Sequence, residues 1–237
     1  MKLPTAPRAK ESDLRKLTYL LYGKIKSGKT TFASQFPDAV FFCTENGTSF
    51  LEVAQICDDE GRPTVLKTWK EFKDAVRLIL TSQHPYKSIV IDTIDNAVSL
   101  CVNHVNAANG FSHESEGAYG RGSALIKREM KLVFDALVAS GMGVIFISHE
   151  RQFDVEDRGV KKLYTDLSVP NAYKTYFTGI SDFVFYIFRD ANGKRMMRTK
   201  ASSEIAAGDR SGILPEIMPL NYQLLIEALQ GNKEKVE

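Results

Sequence analysis

The apolar positions along the chain form two alternating kinds of segment. Short runs that are apolar throughout predict buried strands at residues 17–22, 39–43, 88–92 and 143–148. Segments with helical spacing predict helices, at residues 30–36 (ending before Pro37), 69–82 and about 121–140. Further on, residues 182–188 and 195–200 are rich in strand-forming side chains, and a last helix is predicted around 219–229. Apolar strands separated by helices predict an α/β fold, a mostly parallel central sheet flanked by helices.

One domain is the simplest organisation of these elements, and we predict it over residues 16–230. No linker rich in Pro, Gly or Ser divides the chain, and no internal repeat is present. Residues 1–15 are predicted to be a flexible N-terminal arm and residues 231–237 a solvated tail. Residues 106–122 and 150–170 are predicted to be irregular, and such long loops inside a domain are usually functional or disordered.

Composition restricts the classes of function only moderately. Of 237 residues, 43% are hydrophobic and 25% charged, which is ordinary for a globular protein, and the formal charge of +2 neither requires nor excludes a polyanionic partner. The three cysteines lack CxxC spacing, which argues against a disulfide framework or a zinc site. No apolar run is long enough for a membrane span, and the first residues lack the apolar segment of a signal peptide. These features predict a soluble cytoplasmic protein without a membrane partner.

The segment GKIKSGKT, residues 23–30, matches the phosphate-loop pattern G-x-x-x-x-G-K-[ST] between a predicted strand and a predicted helix. In such loops, backbone N–H groups surround the phosphates of a nucleotide. Lys29 is then predicted to reach the β- and γ-phosphates, and the Thr30 hydroxyl to bind Mg²⁺. The alternative is a Gly-rich surface turn. The predicted ATP-binding residues are Gly23, Lys24, Ile25, Lys26, Ser27, Gly28, Lys29, Thr30 and Thr31.

Two acidic residues follow other predicted strands at the same edge of the sheet. Asp92 ends the run SIVID and is predicted to hold the metal, the alternative being a helix cap. Asp95 is interpreted as a first-turn helix acid rather than a second metal contact. Thr93, not a carboxylate, follows Asp92, so the residue that activates water has to come from elsewhere. Glu45, after the strand 39–43, is the predicted catalytic base, with a solvated loop acid as the alternative.

The order of these motifs resembles the RecA-type core ATPases. In that family the phosphate loop is followed by strands ending in a catalytic glutamate, in Asp-Ser/Thr and in a polar sensor, and this chain has GKIKSGKT, VFFCTE, IVIDT and VIFISH. With AGDRSGILPE at residues 207–216, the chain looks like the short phage-encoded RecA-like proteins, some of which are single-strand annealing recombinases. The resemblance implies a single RecA-like P-loop NTPase domain that uses ATP and Mg²⁺.

The resemblance also assigns roles to residues outside the phosphate loop. His149 takes the position of the glutamine that senses the γ-phosphate, unless it only caps a core strand. Residues 150–170 and 106–122 take the positions of two DNA-binding loops, and a solvated flexible loop is the alternative for each. Cations interleaved with aromatic side chains suit single-stranded DNA, although neighbouring acids dilute the charge. The predicted DNA-binding residues are Arg121, Arg151, Phe153, Arg158, Lys161, Lys162 and Tyr164.

RecA-like proteins place ATP between subunits, where a cation from the next subunit reaches the γ-phosphate. Lys200 is the first candidate for that cation, Arg210 the second, and Arg198 a third; ordinary surface cations are the alternative. The implied function is a Mg²⁺-dependent, DNA-stimulated ATPase that forms homo-oligomers on single-stranded DNA and promotes annealing or strand exchange. A single-strand-binding protein is a further candidate partner. A helicase loader or other ATP-gated recruiting module is the main alternative, and a P-loop kinase a weaker one.

Overall fold

The computed structural model describes residues 3, 6, 13–113, 116, 121–157 and 160–231. A short 3-10 turn at Leu14–Lys16 precedes the strands and helices of the domain. The strands are β1 (Thr18–Gly23), β2 (Ala39–Cys43), β3 (Ala54–Gln55), β4 (Ser88–Asp92), β5 (Gly143–Asp157), β6 (Val160–Leu167), β7 (Phe183–Arg189), β8 (Arg195–Arg198), β9 (Gly208–Asp209) and β10 (Ile217–Pro219). The helices are α1 (Lys29–Ala33), α2 (Trp69–Thr81), α3 (Ile94–Asn109), α4 (Arg121–Ala139), α5 (Asn171–Ile180) and α6 (Tyr222–Leu229).

The strands form a ten-stranded mixed sheet in the order β10-β8-β7-β1-β5-β4-β2-β3. From β7 to β3 every neighbouring pair is parallel, whereas β8 and β10 continue the sheet antiparallel beyond β7. β9 pairs with the first residues of β7, and β6 folds back on β5 as an antiparallel hairpin. In the parallel part, Gly23 lies beside His149, and Cys43 beside Asp92. Residues that follow β1, β2, β4 and the sheet portion of β5 therefore meet at one edge.

Two apolar cores cover the two faces of the sheet. One core contains Trp69 and Phe72 of α2, Phe134 of α4 and Phe177 of α5 against the sheet. The other core contains Phe32 of α1 and the buried residues of α6. Both faces of the parallel strands are therefore buried, as continuous apolar runs require.

The predicted fold class is confirmed: the chain forms a mostly parallel sheet flanked by helices. The helix predicted at residues 30–36 is shorter, because α1 ends at Ala33. The prediction that residues 150–170 are irregular is wrong, because most of them form the β5–β6 hairpin. Residues 106–109 belong to α3 rather than to a loop.

Most of the predicted N-terminal arm, the tail beyond residue 231, and Arg158 lie outside the described residues. Among the residues that are described, no helix has both the length and the apolar character needed to cross a membrane.

Candidate nucleotide site

The phosphate loop follows β1 directly and depends on two glycines. Gly23 has φ of 155°, and a Cβ added there would lie 2.1 Å from the Ile187 carbonyl oxygen of β7. Gly28 precedes α1 with φ of 109°, in the left-handed region. A side chain at either position would be strained, so glycine is needed at both. The loop itself is polar and open, with Lys24, Ile25 and Lys26 exposed.

Lys29 is buried inside this loop, with 6% of its surface exposed. Its Nζ donates hydrogen bonds to the Gly23 carbonyl at 2.8 Å and the Lys24 carbonyl at 2.9 Å. Burial lowers the pKa of Lys29, and the negative charges of Asp92, Asp95, Glu45 and Glu150 oppose that shift. The ammonium is thus desolvated beside the loop backbone, where an anionic ligand would stabilise its charge.

Thr30 and Asp92 bring the phosphate loop and β4 into direct contact. The Thr30 hydroxyl donates to Asp92 Oδ2 at 2.8 Å. Asp92 is only 2% exposed, and burial raises its pKa to about 6, helped by Glu45 and opposed by the Thr30 hydrogen bond and by Lys29 and His149. A buried carboxylate with too little positive charge around it is suited to a divalent cation.

The residues present fit Mg²⁺-ATP by the chemistry of their donors. Ser27 Oγ is buried and has no hydrogen-bond partner in the described part of the chain. Together with the Lys29 ammonium it provides donors for phosphate oxygens, while Thr30 and Asp92 provide the hard oxygen atoms that Mg²⁺ prefers. When bound, the metal would neutralise charge on the β- and γ-phosphates. Thr30 is the predicted direct ligand, and Asp92 is predicted to hold the metal through water.

Thr44, which sequence reasoning overlooked, joins the ends of β2 and β4. Its backbone N–H donates to the Asp92 carbonyl at 2.7 Å, and its hydroxyl donates to the Thr93 carbonyl at 2.8 Å. The Thr93 N–H in turn donates to the Thr44 hydroxyl at 2.9 Å. These bonds fix the position of Glu45, the next residue in the chain, relative to the predicted metal-binding aspartate.

Glu45 lies between two polar side chains at the same edge. Its Oε2 accepts a hydrogen bond from Asn96 Nδ2 at 3.1 Å, and its Oε1 lies 3.5 Å from His149 Nε2. Asn96, in the first turn of α3, was not predicted as a site residue. A carboxylate fixed in this way, on the same edge as Lys29, can accept a proton from a water molecule that attacks a γ-phosphate.

Asp95 connects His149 to the start of the chain segment after the hairpin. Its carboxylate accepts hydrogen bonds from the His149 N–H at 3.0 Å, the Ser148 hydroxyl at 3.0 Å and the Ser168 hydroxyl. The Ser168 N–H donates to the His149 carbonyl at 2.9 Å. As predicted, Asp95 lies in the first turn of a helix, and these partners show that it organises the two ends of the hairpin.

Glu150, the residue after His149, turns out to belong to the nucleotide edge. Its Oε2 is buried without a hydrogen-bond partner among the described residues. Burial raises the pKa of Tyr186, and the negative charge of Glu150 adds to that shift; the same charge opposes the lowering of the Lys29 pKa by burial. In the sequence, Glu150 is one of the acids that dilute the charge of the predicted DNA-binding loop.

The hairpin beyond Glu150 has two faces of different composition. Residues directly opposite each other in an antiparallel pair share a face, and successive residues alternate between faces. The β5–β6 register therefore places Arg151, Phe153, Val155, Lys162, Tyr164 and Asp166 on one face, where Asp166 is buried and ion-paired with Lys174. We call this the aromatic face. The opposite face, here the acidic face, carries Gln152, Asp154, Glu156, Lys161, Leu163 and Thr165.

Aromatic rings on the aromatic face are already stacked. The rings of Phe153 and Tyr164 are 5.9 Å apart and inclined by 20°, and the Arg151 guanidinium lies 5.4 Å from the centre of the Phe153 ring. Phe153 is 39% exposed. A cleft of about 220 Å³ lies between this ring pair and residues 201–206.

The remaining predicted cations lie outside this group of residues. Arg210 donates to Asp182 Oδ1 at 3.0 Å, and because Asp182 precedes β7 and accepts from the Thr18 N–H, this pair lies at the edge opposite the phosphate loop. Arg198 is ion-paired with Glu216, and Lys200 is exposed after β8. Arg121 is exposed at the first residue of α4, a separate element from the hairpin.

Comparison with known proteins identifies the domain that carries this site. The curated proteins searched contain no match to the chain. Residues 15–211, well over half of the chain, match the family described as AAA domain. This range contains the phosphate loop, Glu45, Asp92, His149 and the hairpin. Its members are P-loop NTPases, and NTP hydrolysis is general among them. The chain belongs to the AAA domain family.

Proposed function

We propose that this protein is a Mg²⁺-dependent ATPase that binds single-stranded DNA with its β5–β6 hairpin and promotes strand annealing or exchange in recombination. The observation that carries the proposal is the continuity of β5. The strand passes His149 at the nucleotide edge and continues without interruption into the aromatic face.

Coupling between ATP and DNA would use contacts that already join the two regions. His149 lies 3.5 Å from Glu45, and Asp95 binds both His149 and Ser168, which follows the returning strand β6. A change in the position of Glu45 on nucleotide binding would therefore reach both strands of the hairpin at their base. Hydrolysis would then alter the presentation of the aromatic face and reset DNA affinity.

The aromatic face has the chemistry that single-stranded DNA requires. Bases stack on aromatic rings with little sequence preference, and cations contact the backbone. Arg151 and Lys162 flank the stacked rings, whereas Asp154 and Glu156 lie on the acidic face. These two acids therefore lie away from the surface that would contact DNA, and Asp166, which shares the aromatic face, is buried and ion-paired with Lys174.

The test of this function is ATP turnover and DNA affinity measured together, with and without single-stranded oligonucleotide. Stimulated turnover and salt-sensitive binding would support the proposal. ATP turnover that is the same with and without DNA, together with no measurable DNA binding, would favour a partner-recruiting module such as a helicase loader. Phosphoryl transfer to a nucleotide acceptor would indicate a kinase.

The two faces of the hairpin predict unequal effects of matched substitutions. Phe153→Ala is expected to weaken single-stranded DNA binding about tenfold or more, because stacking is worth roughly 1–3 kcal/mol per base. Leu163→Ala, which removes an apolar side chain that is 52% exposed on the acidic face, should change affinity less than twofold. Equal losses in the two variants, measured by fluorescence anisotropy, would contradict binding by the aromatic face.

A second matched pair tests the cations. Lys162→Ala is expected to reduce the slope of log affinity against log salt by about one, as expected for one lost phosphate contact. Lys161→Ala, at the neighbouring position on the acidic face, should leave the slope unchanged. The same reduction in both variants would indicate a diffuse charge effect rather than a bound strand on one face.

We also propose a homo-oligomer with ATP at the subunit interface and Lys200 as the cation acting on the neighbour's nucleotide. Lys200→Ala protein should be inactive alone but should regain part of its turnover when mixed with Lys29→Ala protein, because each supplies the group that the other lacks. Turnover in the mixture that only equals the sum of the two separate variants would argue against a shared site. Arg210→Ala, at the edge opposite the phosphate loop, provides the comparison.

A further inference from the structure

We infer that Arg195 is a nucleotide-binding residue that acts within its own subunit and contacts the phosphates common to ATP and ADP. This inference rests on the nucleotide site of the proposed function but not on DNA binding. Sequence reasoning considered Arg198 and Lys200 in the same segment and passed over Arg195.

The sheet places Arg195 beside the phosphate loop. It is the first residue of β8, paired with Arg189 at the end of β7. β7 in turn lies beside β1, with Ile187 next to Gly23. A Cβ added to Gly28 would be 2.9 Å from Arg195 Cδ, 3.0 Å from its Nε and 3.3 Å from its Cζ. The Arg195 side chain therefore lies along the loop at the residue that precedes Lys29.

The Arg195 guanidinium is available for a ligand. Within the described residues its side chain makes no hydrogen bond or ion pair. Its neighbours differ: Arg189 donates to the Gly193 carbonyl at 2.8 Å, and Arg198 is paired with Glu216. A guanidinium offers five N–H donors in a fork that fits phosphate oxygens, so an exposed and unpaired one beside a phosphate loop is suited to this role.

The position of Arg195 also indicates which part of the nucleotide it would contact. Glu45 and Asp92 lie on the β2–β4 side of the loop, whereas Arg195 lies on the β7–β8 side, with β1 between them. The γ-phosphate, where charge develops during hydrolysis, would lie on the same side of the loop as the predicted base and metal. Arg195 is therefore placed to contact phosphates that remain after hydrolysis, and should affect binding of ATP and ADP alike rather than the chemical step.

The experiment compares dissociation constants for Mg²⁺-ADP and Mg²⁺-ATP, by calorimetry, with steady-state turnover. Arg195→Ala should weaken both nucleotides at least tenfold, as expected for the loss of a charged hydrogen bond, while kcat stays within about threefold. Arg195→Lys should recover part of the affinity, since it keeps the charge without the fork. Lys194→Ala, the exposed neighbouring cation, should bind both nucleotides as the wild type does.

Unchanged ADP affinity in Arg195→Ala would overturn the inference, whether or not kcat falls. Lys29→Ala separates this result from a failure of the site itself. If Lys29→Ala loses nucleotide binding and Arg195→Ala does not, the site stands and the role of Arg195 is wrong. If neither variant loses binding, the phosphate loop is not the nucleotide site, and both conclusions fall.

Discussion

Glu45→Gln is expected to lower ATP turnover at least a hundredfold while the affinity for Mg²⁺-ATP stays within about threefold of the wild type. General base catalysis typically contributes 10²–10⁴-fold, and glutamine cannot accept the proton of the attacking water. The amide keeps the size of the side chain and an oxygen that can accept from Asn96, so binding geometry should persist. Single-turnover hydrolysis and calorimetry measure the two quantities separately.

Two further carboxylates make this prediction specific. Glu52→Gln changes an exposed carboxylate that follows the same strand and should leave turnover unchanged. Glu150 lies close enough to affect Lys29, so Glu150→Gln tests the competing assignment. Full turnover in Glu45→Gln, with loss in Glu150→Gln, would move the role of base to Glu150.

Asn96→Ala should give a smaller loss than Glu45→Gln, about tenfold in kcat, because it removes a positioning contact and leaves the base in place. The ATP affinity should not change, which distinguishes a mispositioned base from a disturbed nucleotide site. A loss of affinity as large as the loss in kcat would show that Asn96 supports the fold of the edge rather than Glu45.

The residues at the nucleotide edge could be predicted because the pattern of parallel strands determines where they meet. Gly23, Glu45, Asp92 and His149 each follow or end an apolar run, and the carboxyl ends of parallel strands lie at one edge. The register confirms this placement, with Gly23 beside His149 and Cys43 beside Asp92. Their catalytic roles remain predictions, since position alone does not prove chemistry.

The charges of residues 150–170 do not predict the hairpin, whereas the alternation of polar and apolar side chains does. From Gln152 to Glu156 polar and apolar residues alternate strictly, which is the signature of a strand with two different faces. If the segment were a loop, its cations and acids would be mixed on one surface. As a hairpin, the segment brings Arg151, Phe153, Lys162 and Tyr164 together on one face.

Thr44, Asn96 and Arg195 could not be found from local patterns. Thr44 and Asn96 form hydrogen bonds with residues 49 and 51 positions away in the sequence. Arg195 lies beside Gly28, which is also far from it along the chain. Such contacts depend on the order of strands in the sheet, particularly on β8 being placed two strands from β1. Apolar periodicity predicts that strands exist, but not which polar side chains the assembled sheet brings together.

Asp92→Asn is expected to abolish Mg²⁺-dependent turnover and yet to stabilise the ligand-free protein at neutral pH. Burial raises the pKa of Asp92 to about 6, above its ordinary value of 3.8. The native state therefore binds this proton more tightly than the unfolded state does. The contribution of protonated Asp92 to the free energy of unfolding is fully present below about pH 4 and is lost as the pH rises through 6. Ionisation of Asp92 therefore lowers the free energy of unfolding by about 3 kcal/mol.

Asparagine removes that cost but leaves a buried amide N–H₂ to satisfy, so the net gain at pH 7.5 should be about 1–2 kcal/mol. The gain should disappear or reverse at pH 4.5, where Asp92 itself is protonated. Urea unfolding without metal or nucleotide, at both pH values, measures this difference, and Asp59→Asn on the surface is the control.

Mg²⁺-ATP should stabilise the wild type much more than the variant, because the stabilisation by a ligand increases with its affinity. If Asp92→Asn were no more stable than the wild type at pH 7.5, the native protein would already neutralise the buried charge of Asp92 without a metal. An unneutralised carboxylate could then not be the reason that Mg²⁺ binds here.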